Sequence, residues 1–158
     1  MKLIQFFYKF ANEIYNTDLT FILVFYSVVS KNENFYPFIQ PMIVLLMKIS
    51  MNIYCQEAFK PALLFDIMFE LFNNIYENSS IDIIQKISLI QMMFELCKTD
   101  IDEKITEMLE IFRKIGNNSI YITNPKVRVI ADFIYEEFKG DSDFNDEILE
   151  IQILYGLN

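Results

Sequence analysis

Histidine is absent from this sequence of 158 residues, and glycine is scarce. Without histidine the chain cannot form Ser-His or Cys-His nucleophile pairs, His-ligated zinc sites or the Glu-x-x-His iron sites of helical bundles. The glycines, at positions 116, 140 and 156, are too far apart to form a phosphate-binding loop. Because the common catalytic constellations are excluded, we expect a protein that is not an enzyme and has no cofactor, catalytic residue or metal site.

Cysteine is also rare, with Cys55 and Cys97 the only two. They cannot supply a four-thiolate metal site, and their apolar helical context favours two buried thiols over a disulfide. The apolar run between Lys2 and Lys9 is too short for the hydrophobic region of a signal peptide. We therefore expect an intracellular protein, located in the cytoplasm.

No apolar run reaches the length of a membrane span, although the stretch 19–54 is strongly apolar. The runs 19–29 and 35–47 are separated by the polar segment 31–34, whereas a helical span needs about 20 continuous apolar residues. An acidic surface would also be repelled by anionic lipids. Burial in a protein core is therefore favoured, and a membrane-associated helical protein is the weaker alternative.

The composition is that of a folded protein, with 53% hydrophobic and 16% aromatic residues. The length fits a single domain over 1–158. The segment 61–77 is apolar on nearly all sides, which is typical of a buried helix around which other helices pack. Its polar residues form one narrow stripe: Asp66, Glu70, Asn73, Asn74 and Glu77.

The N-terminal third is expected to be helical as well. One helix is predicted over 2–15, and a second over 19–30, where the β-branched content leaves a buried strand as an alternative. A long helix over 41–56 follows, and Pro61 either separates it from the central helix or kinks the two.

The second half of the chain has four helix starts, each marked by a residue that caps helix N-termini. Gly116 and Gly140 are expected to end the second and third of these helices. Ser79 or Ser80 is predicted to start a helix over 81–98, and Asp100 with Glu103 a helix over 101–115. Asn124 with Pro125 is predicted to start a helix over 125–139, and Asp143 a helix over 143–155. The residues expected to face inward are Ile101, Ile105, Met108, Leu109, Phe112 and Ile115 in the second helix, and Val127, Ile130, Phe133, Ile134 and Phe138 in the third.

These patterns predict an all-α fold with about seven helices, arranged as one antiparallel helical bundle or as a short stack of helix pairs. Helix starts recur about every twenty residues from residue 57 on, which is typical of HEAT and armadillo repeats. The segment 124–131, with Ile134, resembles the second-helix pattern of a HEAT repeat. The resemblance covers about one repeat, around residues 101–139, and implies a stack of helix pairs.

Charge is distributed unevenly along the chain. Residues 61–158 hold 18 acidic and eight basic residues, a net charge of −10, whereas residues 1–60 are nearly neutral. An acidic surface repels nucleic-acid phosphates and attracts a basic protein. We therefore expect a basic protein partner and no direct binding of nucleic acid.

The strongest local bias is a run of carboxylates near the C-terminus. Two readings are open: a solvated face whose acids favour a helix N-terminus, or a docking surface for a basic partner. Two basic residues at the start of the 125–139 helix either pair with neighbouring acids or contact the partner. The candidate partner-binding residues are Glu136, Glu137, Asp141, Asp143, Asp146, Glu147, Glu150, Lys126 and Arg128.

Other carboxylates lie one helical turn apart, namely Asp66 with Glu70, and Glu107 with Glu103 and Glu110. Such groups can bind a hard cation, but a solvated face with ion pairs such as Glu110–Lys114 is favoured.

We predict a non-enzymatic, helical protein–protein interaction module that binds a basic protein. The alternative is a small acidic inhibitor, or immunity protein, that neutralises a toxin or defence nuclease. The many aromatic residues, 16 Phe and nine Tyr, are expected to leave some apolar surface outside. Such surface indicates an interface, and a homodimer is one form that it can take.

Overall fold

The structure, a computed structural model, describes residues 41–44, 46, 61–98 and 100–158. Within these residues it is helical and has no β-strand, which confirms the all-α prediction. The predictions for 2–15, 19–30, Cys55 and most of 41–56 lie outside the described residues, although positions 41–44 and 46 are helical. The elements are α1 (Pro61–Ile75), α2 (Ile83–Cys97), the 3-10 helix η1 (Ile101–Glu103), α3 (Ile105–Ile115), α4 (Ser119–Ile122), α5 (Pro125–Phe138) and α6 (Asn145–Tyr155).

The chain divides into two compact units, Met1–Leu96 and Cys97–Asn158. The boundary falls in the last turn of α2, and the second unit contains η1 and α3 to α6. The single-domain assignment and the HEAT-like stack both stay predictions.

In the first unit, α1 has the buried apolar side chains expected from the sequence, and its central position in the fold stays a prediction. Its apolar side chains Leu64, Phe65, Met68, Leu71, Phe72 and Ile75 are buried. Of the predicted polar stripe, Asp66, Glu70, Asn74 and Glu77 are exposed and Asn73 is half-buried. A helix with one narrow exposed edge is stabilised by burial along the rest of its surface.

The turn between α1 and α2 differs from the prediction in its cap. The Asp82 carboxylate accepts the amide of Ile84 at 2.9 Å, so Asp82, rather than Ser79 or Ser80, caps α2. The buried Lys86 ammonium group donates to the carbonyl oxygens of Tyr76 and Asn78, at 2.8 and 2.7 Å. These bonds satisfy backbone acceptors just beyond the C-terminal end of α1.

In the second unit, the expected capping box at Asp100 is wrong. Asp100 makes no side-chain capping hydrogen bond, and the segment begins with η1, after which α3 starts at Ile105 without a side-chain cap. The apolar stripe is confirmed, because every predicted inward residue of this segment is buried: Ile101, Ile105, Met108, Leu109, Phe112 and Ile115.

Helix α4 was not predicted from the sequence. It is a single helical turn with Asn118 as its N-cap. The Asn118 side chain accepts the amide of Ile120 at 3.0 Å. For α5, the predicted cap and start are confirmed, since Asn124 accepts the amide of Lys126 at 3.0 Å and Pro125 occupies the first turn.

Inside α5 the predicted inward residues are buried except one. Phe133 is 36% exposed, whereas Ala131, which was not among the predicted inward residues, is buried. The prediction for Phe133 was wrong because apolar character alone does not assign a residue to the buried side of a helix. Gly140 has a φ of +89°, the left-handed backbone that ends helices as expected.

The last helix, α6, packs against both α3 and α5. Asp143 does not cap it, since the N-cap position is Phe144 and no side chain caps the helix. The buried Tyr155 hydroxyl donates to the carbonyl oxygen of Phe112 at 2.9 Å, and the two rings lie 5.5 Å apart. This contact fixes the C-terminal end of α6 on α3.

Gly116 has an ordinary right-handed backbone, with a φ of −65°. It therefore does not end α3 by adopting a left-handed conformation, as the sequence suggested. A Cβ atom at this position would lie 2.6 Å from Leu154 Cδ1 and 3.0 Å from the Phe112 carbonyl oxygen. The absence of a side chain allows α3 and α6 to approach closely.

Candidate interaction surface

The predicted acidic residues all lie between the end of α5 and the middle of α6. None of them is buried. Four are exposed, namely Glu136, Glu137, Asp143 and Asp146, and three are half-buried, namely Asp141, Glu147 and Glu150. The structure therefore places the acidic run on the surface of one helix–turn–helix segment.

Three of these carboxylates have partners within the second unit. Glu136 accepts from Lys139 at 2.5 Å, and the Asp141 carboxylate accepts the backbone amide of Asp143 at 2.9 Å. Glu150 on α6 accepts from Arg113 Nε on α3, also at 2.5 Å. Glu150 and Asp141 thus support the fold, and they are weaker candidates for partner contact than the sequence implied.

The other four acids define what we call the acidic turn: Glu137, Asp143, Asp146 and Glu147. Within the described part of the chain, no cation lies within ion-pair distance of any of them. The turn is closed by an edge-to-face contact of Phe138 and Phe144, whose ring centroids are 5.8 Å apart. Since the four carboxylates follow each other around one short turn, their negative charge is concentrated at one end of the α5–α6 pair.

The two basic candidates lie at the other end of α5. Lys126 is exposed, and Arg128 donates through Nη1 to the carbonyl oxygen of Ile122 at 3.4 Å, at the end of α4. Lys126 and Glu137 are separated by eleven helical residues, or roughly 16 Å along the axis. The structure does not bring Lys126 and Arg128 to the acidic turn.

Some apolar side chains are exposed on the surface. We expected such surface from the sequence but did not identify the residues that form it. On α6, Leu149 is 50% and Ile153 is 72% exposed; on α5, Val129 is 65% exposed and lies one turn from Phe133. The pattern was present in the sequence, because Leu149 and Ile153 fall outside the stripe of Ile148, Ile151 and Tyr155 that is buried. Contiguous exposed apolar surface that is bordered by polar residues is typical of interaction sites.

Several of the other titratable groups of the described residues form ion pairs or are buried singly. No group of three or more Cys, Asp or Glu side chains among them is placed to hold a metal ion. Glu110 pairs with Lys114 at 3.6 Å, as predicted, and Glu107 pairs with Lys104 at 3.4 Å. Burial raises the pKa of the Cys97 thiol to about 11, so it stays protonated at neutral pH.

No known protein family, curated protein or solved structure matches this chain. A search of the described residues for membrane spans found no helix with the length and apolar character to cross a bilayer. Most of the apolar stretch 19–54 lies outside those residues.

Proposed function

We propose that this protein is a non-enzymatic interaction module that binds a basic protein through the acidic turn. The observation that carries the proposal is the grouping of four carboxylates around the α5–α6 turn, none of which has a described cation within ion-pair distance. On α3, by contrast, Glu107 and Glu110 are each paired with a lysine. A surface with concentrated negative charge attracts positively charged partners and speeds their association.

The helix dipole offers another explanation for part of this charge. Asp146 and Glu147 lie in the first turn of α6, where carboxylates stabilise a helix. The same explanation does not apply to Glu137, which lies in the last turn of α5, where the dipole disfavours an acid. Glu137 supports a role of the acidic turn outside helix stability.

The chain contains a matched control for a test of this proposal. Asp102 and Glu103 are adjacent acids in the first turn of η1, as Asp146 and Glu147 are in the first turn of α6; all are exposed except Glu147, which is half-buried. The Asp146→Lys, Glu147→Lys variant and the Asp102→Lys, Glu103→Lys variant therefore change the net charge equally. Only the first variant changes the acidic turn.

Affinity capture from a native lysate, with quantitative mass spectrometry, compares the two variants with the original chain. We expect a basic protein that is captured by the original chain and by the control, and lost with the variant of the acidic turn. Capture should also weaken as salt rises from about 50 to about 300 mM. Equal capture by both variants would contradict the proposal. A captured toxin or nuclease that loses activity on binding would identify the inhibitor form of this function.

A further inference from the structure

One face of α6 combines charge and exposed apolar surface in a single line. Asp146, Leu149 and Ile153 are spaced three and four residues apart, which places them on one side of a helix. All three are exposed, and together they extend about 10 Å along the helix axis. We call this line the α6 stripe.

The other sides of α6 are already occupied. Ile148, Ile151 and Tyr155 are buried, and the helix contacts both α3 and α5. Glu150 borders the stripe, one turn from both Asp146 and Ile153, and it pairs with Arg113 of α3. The α6 stripe is therefore the part of this helix that remains accessible to another molecule.

Charge decides which molecule fits the α6 stripe. The acidic turn lies at the N-terminal end of the stripe, and Asp146 belongs to both. A second copy of this chain would bring another net charge of −9 toward these carboxylates, and a nucleic acid would be repelled in the same way. The complementary surface has basic side chains at one end and apolar side chains along the rest.

We propose that the α6 stripe binds a basic amphipathic helix of another protein. The lysine or arginine residues at one end of that helix would meet the acidic turn, and its apolar face would cover Leu149 and Ile153. Helices recognise one another through apolar residues at spacings of three and four, and Leu149 and Ile153 are spaced by four. This inference rests on the proposed function and adds that the basic partner binds through an amphipathic helix.

The probe is a synthetic amphipathic helix of leucine, alanine and lysine, roughly 18 residues or five turns long. A scrambled peptide of the same composition keeps the charge and removes the apolar face. Fluorescence anisotropy measures the affinity of each labelled peptide. We expect the amphipathic peptide to bind the original chain at least about tenfold more tightly than the scrambled one, because only it can cover the exposed aliphatic side chains.

Substitution of the stripe tests where the peptide binds. The Leu149→Gln, Ile153→Gln variant should weaken binding of the amphipathic peptide by about tenfold or more, because the apolar contact is lost. The control is Ile84→Gln, since Ile84 on α2 is 68% exposed and lies outside the second unit. The Ile84→Gln variant should bind the amphipathic peptide with the same affinity as the original chain. Circular dichroism of all variants verifies that their helical content is retained.

The outcomes separate this inference from the proposed function. Binding that Asp146→Lys, Glu147→Lys removes but Leu149→Gln, Ile153→Gln leaves unchanged would overturn the amphipathic-helix proposal and leave an acidic docking surface. Binding that neither variant changes would contradict both. A dimer in sedimentation velocity that the double glutamine variant converts to monomer would assign the stripe to a second copy of the chain and overturn the proposal.

Discussion

Helices α3 and α6 are packed against each other, yet their outer surfaces differ. On α3 every large apolar side chain is buried, and the charged residues Glu107, Glu110, Arg113 and Lys114 all pair with an oppositely charged neighbour. On α6, Leu149 and Ile153 are exposed, and Asp146 and Glu147 have no described cation within ion-pair distance.

The comparison distinguishes residues that stabilise the fold from residues that are available to contact another molecule. The sequence of α3 satisfies the needs of the fold, because its apolar groups are removed from water and its charges are compensated. On α6, Leu149 and Ile153 remain half or more exposed and therefore contribute little burial to the fold. A helix that holds its position and also presents uncovered apolar and acidic groups is suited to contact another molecule.

The largest expected effect comes from truncating one apolar side chain on each helix. Phe112→Ala removes a ring that is 0% exposed and contacts Tyr155, so it should lower the free energy of unfolding by about 3–5 kcal/mol. Ile153→Ala, at a position that is 72% exposed, should change it by less than about 0.5 kcal/mol. Urea denaturation measures both, and comparable losses would mean that Ile153 belongs to the core.

The close approach of the two helices at Gly116 predicts a smaller effect. Gly116→Ala should destabilise the protein by about 1 kcal/mol, since the Phe112 carbonyl oxygen and Leu154 Cβ would have to move by a few tenths of an ångström, whereas the flexible Leu154 Cδ1 can rotate away. Shortening the opposing side chain with Leu154→Ala creates the missing space. The double variant should therefore be destabilised by less than the sum of the single changes, and strict additivity in thermal unfolding would disprove the close contact.

The smallest effect is expected for the ion pair that connects the helices. Arg113 and Glu150 are each nearly half exposed, so solvent screens their attraction. A double-mutant cycle with Arg113→Ala and Glu150→Ala should give a coupling free energy of about 0.2–1 kcal/mol that decreases at high salt. A coupling that is independent of salt would show that the pair stabilises the protein by packing and not by charge.

Much of the fold could be predicted from periodicity and capping. The buried stripe of α3 and the Asn124–Pro125 start of α5 followed directly from residue spacing and cap chemistry. The caps at Asp100 and Asp143 were wrong, because a short polar side chain before a helix is only a candidate until the backbone brings an amide within reach. Gly116 was assigned to the wrong role, since the sequence does not show which side chain approaches it.

The acidic part of the candidate site could be predicted from the sequence, but the residues of its exposed apolar part could not. The acidic run was visible from composition alone, but its division into paired and unpaired carboxylates depends on partners such as Arg113, which lies 37 residues from Glu150. The exposure of Leu149 and Ile153 depends on which sides of α6 are covered by α3 and α5. The local spacing separates Leu149 and Ile153 from Ile148, Ile151 and Tyr155, but it does not show which of the two groups faces the core.

The most direct test of the account is an NMR titration of the isotopically labelled chain with the amphipathic leucine–lysine peptide. We predict that the largest amide shift changes fall in the acidic turn and along the α6 stripe, with small changes for Glu110 and Lys114, which pair with each other on α3. Shift changes centred on α3, or spread evenly over all acidic residues of the chain, would contradict the assignment of the outer face of α6 as the binding surface.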